Sequence, residues 1–205
     1  NQACLDQIFA GKLTSCLVNP RACHETELVL TPAVKVKTLA VVGAGPAGMA
    51  FAVNAARRGH QVTLFDTQPE TGGQFNIARQ IPGKEEFSET LRYFRRQLEL
   101  LQVQLRLNHR ATVDDLIAFD EVVLATGIVP RSPPIPGINH PSVLSYLEVI
   151  RDKKPVGQRV AIIGAGGIGF DTAEYLVATG QDIDGFCQQW GIDRTLKQPG
   201  GLLPP

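Results

Sequence analysis

Two short glycine-rich segments are the most chemically informative features of the sequence. Residues 43–48 read GAGPAG and residues 164–169 read GAGGIG, so both fit the pattern G-x-G-x-x-G. In this pattern the first glycine permits a tight turn, the second lets the backbone approach a pyrophosphate, and the third allows a helix to pack closely on a strand. Backbone N–H groups at the helix N-terminus stabilise the phosphates without a basic side chain. The two segments therefore predict two dinucleotide-binding sites.

An acidic residue follows the first glycine segment at the spacing that ribose binding requires. Asp66 lies 23 residues after Gly43, at the predicted end of a strand. A carboxylate at this place accepts hydrogen bonds from the hydroxyls of an adenosine ribose, although Asp66 also suits the start of an ordinary turn. We expect the corresponding residue of the second segment to lie outside this sequence, so the sequence does not distinguish NAD from NADP.

The elements around these residues alternate between apolar runs and helical periodicity. Continuous apolar runs predict buried parallel strands. The helix of residues 85–102 is amphipathic: apolar residues recur at three- and four-residue spacing, at positions 87, 91, 94, 98 and 101, and arginines 92, 95 and 96 lie on a solvated face. Residues 180–205, which are rich in glycine and proline, are predicted to form a loop or an insertion. The predicted strands are 38–42, 61–66, 103–107, 121–125 and 159–163. The predicted helices are 49–59, with Gly59 as its C-terminal cap, 85–102 and a segment from the second glycine cluster to about residue 179.

Composition excludes several classes of partner. The 20 Lys and Arg residues balance the 20 Asp and Glu residues, so no overall basic field attracts nucleic acid or an anionic membrane. The sequence contains neither an apolar run long enough for a membrane span nor a signal peptide, and this favours the cytoplasm. Because the sequence lacks an initiator Met and stops after an unfinished strand–helix pattern, we expect it to be a piece of a longer polypeptide.

Cysteines are concentrated near the start of the chain. Cys4 and Cys16 lie in a segment with few core-forming residues, where a metal or cluster would add stability. Two thiolates are too few for a [4Fe–4S] cluster, and His24 beside Cys23 makes only a weak zinc constellation. Ordinary reduced thiols are the alternative, and this is the interpretation for Cys187.

Several further motifs carry a family resemblance. The first glycine segment, Asp66, the GGQ sequence at residues 72–74 and the ATG sequence at residues 125–127 together resemble the FAD half of flavoproteins with two dinucleotide domains. The NQAC start, the gap of eleven residues before Cys16, the LVNP sequence at residues 17–20, and residues 72–76, 81–84, 185–187 and 190–193 resemble bacterial 2,4-dienoyl-CoA reductases. This resemblance covers essentially the whole chain. One departure is Asp66, where relatives often carry Glu, and either carboxylate serves ribose binding.

The resemblance implies an α/β fold with two Rossmann-like dinucleotide-binding domains in a glutathione-reductase-like arrangement, preceded by an iron–sulfur segment. The expected limits are 1–35 for the iron–sulfur segment, 36–155 for an incomplete FAD-binding domain, and 156–205 for the start of a truncated NAD(P)H-binding domain. In this family the cluster motif is C-x-x-C-x-x-x-C-x(11)-C. Cys4 and Cys16 match its third and fourth cysteines, so the first two ligands are expected before Asn1.

The activity implied by the resemblance is electron transfer into an unsaturated fatty acyl-CoA during β-oxidation. NADPH reduces FAD, a [4Fe–4S] cluster passes single electrons onward, and FMN in an absent barrel domain of the old-yellow-enzyme type reduces the acyl-CoA. No catalytic side chain is expected within these residues, because the acid–base groups of the family belong to the barrel.

The cofactor-binding candidates follow from the fingerprints and the resemblance. Lys84 is included on the resemblance alone and equally suits a solvated lysine at a helix start, and Ala111 is a backbone contact expected near the adenine. The FAD candidates are Gly43, Gly45, Pro46, Ala47, Gly48, Asp66, Gly73, Gln74, Lys84, Ala111, Thr126 and Gly127; the nicotinamide candidates are Gly164, Gly166, Gly167 and Gly169; and the metal ligands are Cys4 and Cys16.

Three alternatives remain open from the sequence. The first is a related enoate reductase or amine dehydrogenase, although the intact second glycine segment argues against a trimethylamine-type dehydrogenase. The second is a stand-alone NAD(P)H/FAD electron-transfer subunit, which predicts a naturally short chain. The third is a nucleotide-binding module without redox activity, which bound flavin excludes.

Overall fold

The computed structural model describes residues 3–16, 19, 21–178, 180 and 182–203. Contacts divide the chain into two compact units, which we call the first unit (Asn1–Arg79 and Lys84–Ile138) and the second unit (Gln80–Gly83 and Asn139–Pro205). The strands are β1 Thr38–Val42, β2 Gln61–Phe65, β3 Gln104–Arg106 and β4 Glu121–Leu124, and the helices are α1 Ala3–Phe9, α2 Pro46–Arg57, α3 Phe75–Ala78, α4 Phe87–Leu100, α5 Val113–Leu116, α6 Tyr146–Ile150, α7 Gly167–Val177 and α8 Ile183–Gln189, with a 3-10 turn at Pro199–Gly201.

The first unit is built on a parallel sheet with strand order β3-β2-β1-β4. Both neighbours of β1 are parallel to it: Val41 lies opposite Leu64 on β2 and Val123 on β4. Because the chain moves outward through β2 and β3 and then returns to the other side of β1, the strand order reverses between β1 and β4. Such a switch point, at the carboxyl ends of the strands, is where doubly wound folds bind ligands. The fold is therefore Rossmann-like, as predicted.

Small side chains allow α2 to lie closely on this sheet. Met49 and Ala52 have no exposed surface, and neither do Val41 and Leu64 on the strands beneath. The amphipathic helix α4 buries Leu91, Phe94 and Leu98 in the same core. The apolar spacing in α4 thus predicted its buried face correctly.

Helix boundaries differ slightly from the predictions because of residues at the helix ends. Helix α2 begins earlier than expected, since Pro46 occupies the first turn, where its missing N–H removes no hydrogen bond. Arg58 caps α2, and Gly59 follows with a φ of +93°, in agreement with its predicted role at the helix end. Helix α4 is shorter than predicted at both ends.

Two of the sequence predictions for the second unit were wrong. Residues 159–163 do not form a strand, and the side chains of Val160, Ile162 and Ile163 are exposed. A strand requires a hydrogen-bonded neighbour, and no described strand of the second unit lies beside this run. Residues 180–205 are not simply loop, because they include α8, whose N-cap Asp182 accepts a hydrogen bond from the Gly185 N–H at 2.7 Å.

Two further sets of hydrogen bonds organise parts of the second unit: a helix cap at α6 and the bonds to the carboxylate of Asp193. Ser145 and Glu148 form a capping box at the start of α6, which contacts α7 and buries Val149 and Ile150. After α8, Asp193 accepts hydrogen bonds from the N–H groups of Thr195, Lys197 and Gln198 and from the Thr195 hydroxyl. Within the described ranges, no helix has the length and apolar character needed to cross a membrane.

Candidate dinucleotide-binding site

The first glycine segment lies at the switch point of the sheet. It follows β1 directly, and the Gly43 N–H donates to the carbonyl of Phe65 at the end of β2, at 2.8 Å. Gly43 has a φ of +108°, and a Cβ atom there would lie within 3.0 Å of the Ala125 carbonyl. Only glycine suits this position, because a side chain would be strained by the backbone and would also clash with the segment after β4.

The other two glycines have opposite surroundings. A Cβ at Gly48 would overlap the carbonyl oxygen of Gly43, so the third glycine is required for α2 to start so close to β1. A Cβ at Gly45, by contrast, would meet no atom within 4 Å. Gly45 is also the N-cap of α2, in extended conformation and with no capping side chain. This leaves an open backbone surface at the positive end of a twelve-residue helix, which suits a pyrophosphate.

Asp66 stands next to this helix start and is already engaged with the backbone. One carboxylate oxygen accepts a hydrogen bond from the Ala44 N–H at 2.6 Å, and the other accepts from the Gln68 N–H at 2.8 Å. Each carboxylate oxygen has a second lone pair that a ribose hydroxyl can use. The structure thus adds a role that the spacing alone did not predict, since Asp66 also holds the glycine segment.

The GGQ sequence packs against the first glycine segment through the backbone. The Gly72 N–H donates to the Ala44 carbonyl at 2.8 Å, and a Cβ at Gly73 would lie 3.0 Å from the Cα of Gly45. Gln74 is exposed and caps α3. Gly72 and Gly73 have φ values of +133° and +53°, which suit glycine.

The remaining FAD candidates of the first unit lie in three separate segments. Thr126 and Gly127 follow β4 and are exposed, with Gly127 at a φ of +75°, and Lys84 is half-buried just before α4. Ala111 is half-buried and precedes the capping box of α5, in which Thr112 donates hydrogen bonds to Asp115. These bonds from Thr112, with a further one from His109, lower the pKa of Asp115 to about 2. The segment carrying Ala111 is therefore held by an ionised carboxylate.

The second glycine segment repeats the local geometry of the first. Gly164 has a φ of +117°, Gly166 is the extended N-cap of α7, and a Cβ at Gly169 would overlap the carbonyl oxygen of Gly164. Positions 166 and 167 are open, with no atom within 4 Å of an added Cβ. This arrangement fits a second dinucleotide phosphate. Unlike the first segment, it does not directly follow a strand, because residues 159–163 form none.

The two candidate cluster ligands, Cys4 and Cys16, are half-buried, and neither forms a disulfide with a described residue. The Thr14 hydroxyl donates to the Cys4 carbonyl at 3.2 Å, and the Asn19 N–H donates to the Cys16 sulfur at 3.4 Å. Among the described residues, no group of three or more His, Cys, Asp or Glu side chains is placed to hold a metal ion. The neighbouring residues Asn1, Gln2, Leu17, Val18 and Pro20, which contributed to the family resemblance, lie outside the described residues.

Arg95 makes a tertiary contact that the sequence analysis did not predict. It lies on the exposed face of α4, as predicted, and its guanidinium also reaches the carbonyl and hydroxyl of Thr71, immediately before the two glycines of the GGQ sequence. Arg92 and Arg96 are also exposed, as predicted, and they pair with glutamates of their own helix. No local pattern separates Arg95 from these neighbours, because its partner lies 24 residues earlier in the chain.

These features define a class of protein. A parallel Rossmann-like sheet, a glycine turn at its switch point, an open helix N-terminus and a carboxylate at the end of β2 are the features of a dinucleotide-binding fold, and the clashes at Gly43 and Gly48 explain its glycines. The open surface at Gly45 fits the pyrophosphate of FAD.

Comparison with known proteins gives the family. Residues 37–184 match the family described as pyridine nucleotide-disulphide oxidoreductase, and the chain belongs to this family. Membership implies binding of FAD and NAD(P)H, and the chain is an electron-transfer portion of the kind found in flavin-dependent reductases.

Three similar proteins illustrate the relationship. A metal reductase of Desulforamulus reducens is 37% identical over 88% of this chain, and a cinnamate reductase of Clostridium sporogenes is 35% identical over 89%. The solved structure of a 2-naphthoyl-CoA reductase in complex with 2-naphthoyl-CoA is 37% identical over 86% of this chain, with a TM-score of 0.82. The chain spans only 27–28% of the length of these proteins.

Proposed function

We propose that this chain is the electron-entry portion of an NADPH-dependent 2,4-dienoyl-CoA reductase. The observation that carries the proposal is the open backbone surface at Gly45, at the switch point of a parallel sheet, beside the carboxylate of Asp66. FAD supplies the capacity to accept a hydride as two electrons and release them singly. The likeness to a 2-naphthoyl-CoA reductase and to a cinnamate reductase supports reduction of a conjugated C=C bond.

In this proposal, each part of the first unit has a role in holding FAD. The N–H groups at the start of α2 bind the pyrophosphate, Asp66 accepts the ribose hydroxyls, and the backbone at Gly73 lies along the dinucleotide. The N-terminus of α7, at Gly166 and Gly167, binds the phosphates of NADPH. Gln74, Lys84, Ala111, Thr126 and Gly127 remain proposed contacts.

The proposal extends to groups outside the sheet. Cys4 and Cys16 supply two of the four thiolates of a [4Fe–4S] cluster, and both are half-buried, which is compatible with ligation. The FMN and the acyl-CoA site belong to a barrel domain of the same polypeptide. The proposed partner is a small molecule rather than nucleic acid or a membrane, since the net charge is zero, and the proposed setting is the cytoplasm.

The test uses the native polypeptide that carries this sequence, purified without oxygen. We expect FAD and FMN after acid release, four iron atoms for each polypeptide, and NADPH oxidation that depends on a 2,4-dienoyl-CoA. Cinnamate and dimethylglycine serve as competing substrates. Turnover of cinnamate but not of the acyl-CoA would indicate an enoate reductase, turnover of the amine would indicate an amine dehydrogenase, and an absence of flavin would reject a redox role.

A further inference from the structure

The guanidinium of Arg95 connects α4 to the loop in front of the GGQ sequence. Its Nε donates to the Thr71 hydroxyl at 3.2 Å, and its Nη2 donates to the Thr71 carbonyl at 3.0 Å and to the Glu70 carboxylate at 2.8 Å. Thr71 is buried, with 4% of its surface exposed. Three hydrogen bonds from one planar group therefore fix two successive residues of this loop.

Glu70 and Asn76 complete the connection. The second carboxylate oxygen of Glu70 lies 3.5 Å from Nη2 of Arg79, and the Asn76 amide donates to the same Thr71 carbonyl at 3.1 Å. The Thr71 carbonyl thus accepts from two side chains on two different helices, α4 and α3. Such convergence restricts the position of the peptide that leads into Gly72.

This restrained peptide lies against the cofactor turn. Gly72 donates its N–H to the Ala44 carbonyl, and Gly73 approaches Gly45 so closely that a Cβ would be 3.0 Å from the Gly45 Cα. A displacement of Thr71 therefore moves backbone atoms that touch the open surface where a pyrophosphate fits. Arg95 itself is separated from that surface by Thr71 and the two glycines.

We propose that Arg95 is a positioning residue for FAD, which holds residues 70–73 so that the Gly72 and Gly73 backbone meets the dinucleotide. The inference rests on the proposed function, since it assigns FAD to this site. The role needs the planar fork of arginine, because a lysine offers one nitrogen and cannot reach Glu70, the Thr71 hydroxyl and the Thr71 carbonyl with the same geometry. Arg95 touches no reacting atom and is not a catalytic residue.

The experiment compares Arg95→Met and Arg95→Lys with Arg96→Met in the native polypeptide. Arg96 is a matched control, because it lies next to Arg95 on α4 but pairs with Glu99 of the same helix at 2.7 Å. The readouts are the FAD dissociation constant, from fluorescence on titration of the flavin-depleted protein, and hydrogen exchange at the Gly72 amide. Each variant is also assayed for NADPH-dependent dye reduction at saturating FAD.

We expect Arg95→Met to weaken FAD binding about tenfold and to speed exchange at Gly72, with dye reduction at saturating FAD within about twofold of wild type. Arg95→Lys should recover part of the affinity, and Arg96→Met should match wild type. The proposal is overturned if Arg95→Met binds FAD as wild type does, or if Arg95→Lys recovers binding in full. If the wild type binds no FAD, the proposed function fails and the assignment of Arg95 to FAD fails with it; faster exchange at Gly72 in Arg95→Met would then show a purely structural restraint.

Discussion

The two glycine segments have nearly the same sequence and the same local backbone, but different surroundings. Gly43 and Gly164 have φ values of +108° and +117°, and in both segments the third glycine lies against the carbonyl of the first. The first segment is enclosed: a Cβ at Gly43 would clash with Ala125, whereas one at Gly164 would meet nothing within 4 Å.

The same contrast extends to the residues before and after each turn. Val41 on β1 has no exposed surface, whereas Ile162, at the corresponding position before the second turn, is 41% exposed. Helix α2 buries five residues, and α7 buries Thr172 among its described residues. The difference shows that short-range sterics determine the glycine turn, while packing against neighbouring strands determines how strongly it is held.

The largest expected effect tests the enclosure of the first turn. Gly43→Ala should lower the free energy of unfolding of the chain by about 3–4 kcal/mol, because it combines an unfavourable φ with a clash against fixed backbone. Gly164→Ala has the same unfavourable φ without the clash, so its loss should be about 1–2 kcal/mol. Urea denaturation of both variants measures the difference, and equal losses would contradict the contrast.

A second pair of substitutions tests the strands. Val41→Ala removes two buried methyl groups and should cost about 2–3 kcal/mol of unfolding free energy, whereas Ile162→Ala should cost less than about 1 kcal/mol because the side chain is exposed. The measurement is again denaturant unfolding of the chain. A cost at Ile162 as large as that at Val41 would show that residues 159–163 are buried in solution.

A substitution of Asp66, the residue proposed to bind the ribose of FAD, tests whether the two glycine segments bind different nucleotides. Asp66→Asn replaces a carboxylate, whose two oxygens accept from two backbone N–H groups, with an amide that has one acceptor atom. We expect FAD to bind about tenfold more weakly while binding of NADPH is unchanged, since the substitution affects the first unit alone. Titration of the flavin-depleted native polypeptide with each nucleotide measures both, and parallel losses would oppose separate sites.

The smallest expected effect concerns the loop after α8. Hydrogen bonds to the carboxylate of Asp193 hold this loop, whereas pairing between strands holds the first turn. Hydrogen bonds from the Thr195 hydroxyl and from the N–H groups of Gln198, Thr195 and Lys197 lower the pKa of Asp193 to about 2, from an ordinary value of 3.8. Because the folded loop favours the ionised form, this stabilisation is complete above about pH 4 and is lost as the pH falls through about 2.

An NMR titration of the Asp193 carboxyl carbon checks this prediction, with an expected midpoint near 2. Asp193→Asn should remove the pH dependence of the Lys197 and Gln198 amide shifts over the same range. A midpoint at the ordinary value would mean that the loop does not hold Asp193 in solution.

The elements of the first unit could be predicted because each has a characteristic pattern within its own residues. The apolar run of β1 predicted a buried strand, and the apolar spacing in α4 predicted its buried face. The glycine after α2 predicted the end of that helix. The same reasoning failed for residues 159–163, where an equally apolar run forms no strand, because a strand exists only with a hydrogen-bonded neighbour. It also missed α8, whose capping signal at Asp182 and Gly185 lies among turn-forming residues.

The sequence by itself determined the two glycine turns, since their positive φ angles and the contact between the first and third glycines are local steric requirements. It also indicated Asp66, because its distance from Gly43 follows from the length of one helix and one strand. Only the tertiary structure decided that Gly43 lies against Ala125, that Asp66 accepts a hydrogen bond from Ala44, and that Arg95 donates hydrogen bonds to Thr71. Each of these contacts joins residues at least 22 positions apart, where chain spacing no longer restricts which atoms meet.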